Sequence, residues 1–274
     1  MQGNIDNALQ LAAVGNAYLA GSDVTGFWPD APTFQFTKYC EFRTPPTDGA
    51  PSRDSDFPVL APDPLAWFAS LKPWCKGLRL HHMPSTPRPG PTIPGVTDRM
   101  LVGFVGGGPR WLIEAEGPKT SQIWEGFQRL LDRNDPTRRI WGSTYILQRE
   151  IEPAGDAAVS LDAASVDLRA VLPEIEAYAR ENHRDNFAEC FARARAALDG
   201  PEPAIELESP LVRYAGMTPL QLRVLDAIMH AWVFGGMGSW NDWGGDARSD
   251  ELSDRLFRAV NDGVCGVANS TFRS

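Results

Sequence analysis

The sequence predicts an α+β protein: an antiparallel sheet in the N-terminal half, packed against a mostly helical C-terminal half. Two observations carry this. Segments with strand alternation are confined to the residues before about 155, and segments with 3.6-residue periodicity dominate after it. A chain of 274 residues fits one domain, 1–274, with a sub-boundary near 155 between a strand-rich part and a helical part.

Asn4 to Ala20 reads as an opening helix, with Ile5, Leu9, Ala12 and Ala13 at helical spacing before Gly21-Ser22. Thr33 to Arg43 alternates, placing Phe34, Phe36, Cys40 and Phe42 on one face of a half-buried strand. Thr44 to Pro64 is rich in Pro, Asp and Ser and predicts a long surface loop. Asp63-Pro64 then supplies an N-cap and a first-turn proline for a short helix. Leu78 to Met83 reads as a strand. Pro84 to Pro94, with five prolines, reads as an irregular surface segment open to proteolysis, like the Thr44–Pro62 loop. Arg99–Val105 and Arg110–Glu116 flank Gly106-Gly107-Gly108-Pro109, which predicts a hairpin. Ser121 to Arg133 has an amphipathic pattern through Ile123, Trp124, Phe127, Leu130 and Leu131. Arg138 to Ile151 reads as a long strand bent at Gly142.

A polar, Ala-rich linker follows Glu152. Beyond it, helices are expected over Ser165–Glu181, interrupted at Pro173, over Asn186–Leu198, over Thr218–Phe234 and over Ser249–Asp262. Thr218, Pro219 and Gln221 spell a capping box with proline at the first helical position. Cys190 shares a helical face with Phe187, Phe191 and Ala194, so it is expected to be a buried thiol.

A net charge of −9 argues against nucleic acid and against anionic membrane surfaces as partners, since both attract basic footprints. None of the four cysteines forms a CxxC pair or has zinc-finger spacing, and no cofactor or metal is expected. The first basic residue is Lys38, and no charged segment leads an apolar stretch near the start. No apolar run reaches transmembrane length, and the expectation is a reduced, cytoplasmic protein.

The densest constellation is Val233–Gly245, with five glycines and two tryptophans. Its glycines follow a helix instead of opening one, so it is no phosphate loop. One reading is structural: a left-handed C-cap at Gly235 or Gly236, with Trp240 and Trp243 folded onto the core. The other makes Ser239, Trp240, Asn241, Asp242 and Trp243 a recognition surface. His81 and His82 project to opposite faces of their strand and cannot chelate one ion as a pair. A site joining His82, His230 and Asp242 is conceivable. Ser143, Ser239 and Cys75 are nucleophile candidates by residue type alone. Glu114 and Glu116 share a strand face about 7 Å apart, a spacing compatible with carboxylate acid/base chemistry, with Arg99 and Arg110 as pairing partners.

Two functions are expected from these features. The first is protein binding, as an accessory subunit or an immunity-type inhibitor acting on a protein or peptide partner, basic by complementarity to the acidic chain. The second is a small-ligand enzyme with its pocket between the sheet and the Trp240–Trp243 loop. An exposed aromatic patch favours the first, and a closed pocket with convergent polar groups favours the second.

Overall fold

The structure is a computed structural model that describes residues 3–46, 57–85, 95–153, 158–201, 209–243 and 245–272. Six strands form one mixed sheet: β1 (Thr37–Arg43), β2 (Val59–Ala61), β3 (Gly77–Met83), β4 (Arg110–Glu116), β5 (Ser121–Leu130) and β6 (Trp141–Ile151). Their order is β2-β1-β6-β5-β4-β3. Every neighbouring pair is antiparallel except β1 and β6, which run parallel. The helices are α1 (Gly3–Leu19), α2 (Pro64–Leu71), α3 (Asp98–Leu101), α4 (Leu161–Glu181), α5 (Asp185–Asp199), α6 (Pro210–Arg213), α7 (Pro219–Ala231) and α8 (Ala247–Asn269). The α+β class and the division into strand-rich and helical halves match the expectation. The parallel pair is a departure, and it requires the chain to cross the sheet between β1 and β6.

The helices stack in two layers. α1 lies on β3, β4 and β5, and α8 lies on β3 and α1, while α4 and α7 close over α8 and α5 packs on α4 and α7. α2, α6 and the 3-10 turn Pro32–Phe34 also pack on α1. Its residues Asn7 to Asn16 are all buried, polar ones included, which is why its apolar stripe is broad. At the other end of the sheet, Phe42 of β1 stacks on Trp67 of α2, with ring centroids 4.2 Å apart and planes 8° from parallel. Tyr145 covers its other flank, and Trp124 meets it edge-on.

Caps hold the helices where the sequence placed them. The Asp63 carboxylate accepts from Ala66 N at 2.8 Å, with Pro64 opening α2. Thr218 and Gln221 form the reciprocal capping box of α7. Pro173 does not interrupt its segment, because α4 runs unbroken through it.

Three expectations are corrected. Thr33–Gln35 is mostly a 3-10 turn, the strand begins at Thr37, and Phe36 is exposed. Part of the Thr44–Pro64 segment is a short edge strand, β2, paired with β1, while residues 47–56 lie outside the described residues, as do 86–94 and 154–157. No hairpin joins Arg99–Val105 to Arg110–Glu116: the former is α3 and a turn, and β4 instead forms a hairpin with β5. The amphipathic Ser121–Arg133 segment is a strand over Ser121–Leu130. Consecutive Ile123 and Trp124 are both buried, on opposite faces, which imitates helical spacing, and the bulge opposite them carries its extra residue, Gln148, on β6.

The outer edge of β3 is closed by two asparagines. Asn16 of α1 accepts from Leu78 N at 2.6 Å and donates to Leu78 O at 2.9 Å. Asn269 of α8 accepts from Leu80 N at 2.6 Å and donates to Leu80 O at 3.2 Å. Each side-chain amide stands in for one residue of a missing strand. Replacing Asn16 with Leu leaves a buried N–H and C=O unsatisfied, so stability should fall by about 2–4 kcal/mol. Urea unfolding tests this: the midpoint should drop at constant slope, and a change below about 0.5 kcal/mol would refute the role.

Candidate functional site

The segment Thr97–Arg110, expected to be half of a hairpin, is instead bolted to the C-terminal helices. Arg99 is almost fully buried. Its guanidinium donates to Asp254 Oδ1 at 2.7 Å and to Asp250 Oδ1 at 3.1 Å, two acids one turn apart on α8. A third, longer bond of 3.3 Å reaches Asn241 Oδ1, and Asn241 Nδ2 returns a bond to Arg99 O at 2.7 Å. Gly103 packs directly on the backbone of Gly235: a Cβ there would lie 2.3 Å from Gly235 O. No side chain fits at that contact.

The glycine run then turns the chain back. Gly106 and Gly108 have φ of 71° and 83°, the left-handed region that glycine adopts without penalty. A Cβ on Gly107 would lie 2.0 Å from Leu101 O. The loop thus folds onto α3 instead of continuing along the sheet, and Pro109 brings no N–H to a ladder. Two consequences follow. Phe104 and Val105 are presented to solvent, 70% and 62% exposed. And β4 stops pairing with β5 at Leu112↔Glu125, although β5 continues to Leu130 against β6.

Between the glycine loop, β5, the first turn of α1 and Trp141 lies a cavity of about 530 Å³. Phe104, Val105 and Phe127 form its apolar mouth, and Arg110 and Glu125 its polar wall. Arg110 grips Glu125 with both arms of its fork, Nε to Oε1 at 2.7 Å. That bond holds the guanidinium pKa above its ordinary value. Ser85, also at the cavity, donates its backbone N–H to Asp98 at 2.9 Å. Exposed Val96, Met100 and Leu101 continue the apolar surface along the chain.

The residues singled out from the sequence separate into three places. Trp240 is core: its Nε1 donates to Ser253 Oγ at 2.7 Å, and Phe187, Phe191 and Trp243 meet its ring edge-on. Trp243 is half-buried between Tyr178 and the Arg184 guanidinium. Ser239 Oγ donates back to Gly235 O, and Asp242 accepts from Gly238 N, so both serve the loop itself. The left-handed cap expected at Gly235 or Gly236 is absent, and Gly238 takes that conformation instead. Of this group only Asn241 reaches the new surface, through Arg99.

His82 bonds Asp262 of α8 at 2.8 Å on the helix-covered face, while His81 bonds Glu114 at 2.8 Å on the other. Opposite projection is as expected. His230 lies 3.6 Å from Asp226, and no three His, Cys, Asp or Glu among the described residues are grouped to hold a metal ion. Glu114 is fully buried beside His81, and Glu116 pairs with Arg79. The expected pairing of these acids with Arg99 and Arg110 is thus replaced: Arg99 belongs to α8, and Arg110 to Glu125. No signal in the sequence separated those partners, because the real neighbours lie on β3 and β5.

Among the described residues, none of the three nucleophile candidates is hydrogen-bonded to a base. Ser143 Oγ is buried without a hydrogen bond among the described residues, and Ser239 is committed to Gly235. Cys75 donates to Gly77 O, and burial pushes its pKa up to about 12. Comparison of the chain with protein-family models, with curated proteins and with solved structures found no match.

Cys190 is not on the buried face. That face of α5 carries Ala188, Phe191, Ala194 and Leu198, and Cys190 is only partly covered, beside Arg193. Cys40, Cys75 and Cys265 are buried, and desolvation raises all three thiols. Disulfide-exchange labelling at pH 8 should therefore modify one thiol in the folded chain and four in denaturant. Rapid labelling of a second thiol, or protection of Cys190, would contradict this arrangement.

Replacing Trp240 with Ala should cost about 3–5 kcal/mol, since the ring is buried and its N–H is bonded. A variant that unfolds at the parent's temperature would show that Trp240 does not support the fold.

Proposed function

We propose that this chain is a cytoplasmic protein-binding protein, an accessory subunit or immunity-type inhibitor, and that it contacts its partner through the surface built on Phe104, Val105 and Phe127. The observation that carries this reading is an exposed aromatic-aliphatic surface on a segment anchored at both ends. Large apolar side chains held in water are unfavourable unless something covers them. Here the exposure is enforced by Arg99, Gly103 and Gly107 instead of resulting from looseness. An anchored aromatic is the kind of residue that dominates binding energy, because little freedom is lost when the partner arrives.

The surface carries acids at its rim. Asp98 sits beside the cavity, and Asp250 and Asp254, both more than half exposed, share one guanidinium between them. Together with the net charge of −9, this supports a partner that brings basic groups around an apolar centre. Four free cysteines suit a reducing compartment. The small-ligand reading keeps no support at the Trp240–Trp243 loop, whose tryptophans are packed inward. It would have to use the 530 Å³ cavity, whose charged pair, Arg110 and Glu125, is bonded to itself.

The test compares two exposed positions. A photo-crosslinking residue at Phe104 should capture a discrete protein, and the same residue at exposed Val166 of α4 should not. The captured protein, purified, should bind the parent and lose about thirtyfold or more in affinity to Phe104→Ser. Folding stability of that variant should stay within about 0.5 kcal/mol of the parent. Equal capture at both positions, or a partner indifferent to Phe104→Ser, would overturn the reading.

A further inference from the structure

The geometry points to the way this surface takes its partner: we infer that an extended segment of the partner adds as a strand to β5 at Gly126–Leu130, in the row that β4 vacates. The inference rests on the protein-binding reading and specifies its mode.

Sheet register defines the vacancy. In the β4–β5 ladder Leu112 faces Glu125, so Arg110 would face Phe127 and the preceding residues would face Gln128 to Leu130. They do not, because the glycine run holds residues 103–108 on α3 and Pro109 ends the ladder. Among the described residues, β5 beyond Glu125 is paired by β6 alone. This stretch of strand backbone offers alternate N–H and C=O groups on its open side, and Gly126, Phe127 and Gln128 of it line the cavity. The other edge of the same sheet, at β3, has its groups taken by Asn16 and Asn269. Among the described residues, Thr37–Glu41 of β1 and Leu147–Ile151 of β6 also have a single strand neighbour, and the β5 stretch differs from both in sharing a cavity with the exposed Phe104 and Val105.

The cavity suits one shape of occupant. An extended chain occupies about 3.3 Å along its axis, 4.8 Å between strands and 10 Å through the sheet, or roughly 160 Å³ per residue. A volume of 530 Å³ takes about three such residues. A helix, about 10 Å across, cannot approach a strand edge closely enough to bond it. Strand addition gives affinity through the main chain and specificity through alternate side chains. A residue placed opposite Phe127 would lie between that ring and Phe104, which calls for an apolar side chain. Asp98 beside the cavity, and the surplus carboxylate of the Asp250–Asp254 pair, call for Lys or Arg next to it. The occupant is thus an extended, apolar segment with basic flanks, on a partner protein.

The full chain is used as bait against a displayed library of random eight-residue peptides, and the strongest binder is synthesised. The expected binder has an apolar centre with basic flanks. Methylating its backbone nitrogens one at a time should weaken binding more than tenfold at alternate positions only, because alternate residues face the neighbouring strand. Bound peptide should slow amide exchange within residues 126–130, and Phe104→Ser should weaken it. A binder that loses affinity to Phe104→Ser but tolerates every methylation overturns strand addition and leaves the protein-binding surface standing. A binder that protects other strands, or a library that yields none, also overturns strand addition, while the Phe104 cross-link separately decides the broader reading.

Discussion

Every strand edge must give its backbone N–H and C=O groups a partner, and this obligation organises the molecule more than any single apolar contact. At β3 the partners are the amides of Asn16 and Asn269. They come from α1 and α8, the two most enclosed helices, so the edge is closed by the same elements that form the core. Their polar side chains are buried there, and each makes one further bond, Asn16 to Thr271 Oγ1 and Asn269 to Val159 O. At the opposite margin β2 is only three residues long, which shortens the edge it exposes. Open backbone also lies inside the sheet, where β4 stops short of β5.

The C-terminal loop serves that opening from behind. Trp240 and its aromatic neighbours tie Val233–Trp243 to α5 and α8, and the fixed loop then holds Gly103 by backbone contact and Arg99 through Asn241. The exposed turn is thereby supported by the deepest packing in the helical half. A loop carrying Phe104 without such support would collapse onto the nearest apolar surface, since burying that ring is favourable by about 2 kcal/mol. The buried Arg99 is the joint between the two halves. It leaves two half-exposed carboxylates outside, so the joint also sets the charge of the rim.

Legibility followed the range of the interactions. Elements decided by local chemistry were readable: Asp63-Pro64 for α2, Thr218 with Gln221 for α7, the opening helix, and the opposite projection of His81 and His82. Errors arose where a distant partner decides. Ile123, Trp124, Phe127 and Leu130 have helical spacing, and only pairing with β4 and β6 makes them a strand. Gly106–Pro109 has hairpin composition, but the contacts that use those glycines come from Leu101, itself in a turn of helix. Pro109 at the head of β4 was the one local sign that the ladder would end there. Of the candidate binding residues, Arg110 and Asn241 belong to the surface or its support. Trp240 and Trp243 were ambiguous between core and surface, because composition does not tell which way a ring points. Phe104 was hidden in the wrong element.

An open stretch of sheet is ordinarily a hazard, because any exposed β segment can pair with it and identical copies can stack without limit. The position of this one changes the consequence. It is bounded by Arg110 at one end, by the glycine loop at its side and by the first turn of α1 beneath. A strand entering it has room for only a few residues, because its row runs into β4. Pairing there is self-limiting, and the Asn-closed edge at β3 prevents growth on the sheet's other side. Fold stability and the proposed binding therefore call on different backbone groups: stability on those that the helices satisfy, binding on the few that the glycine run leaves uncovered.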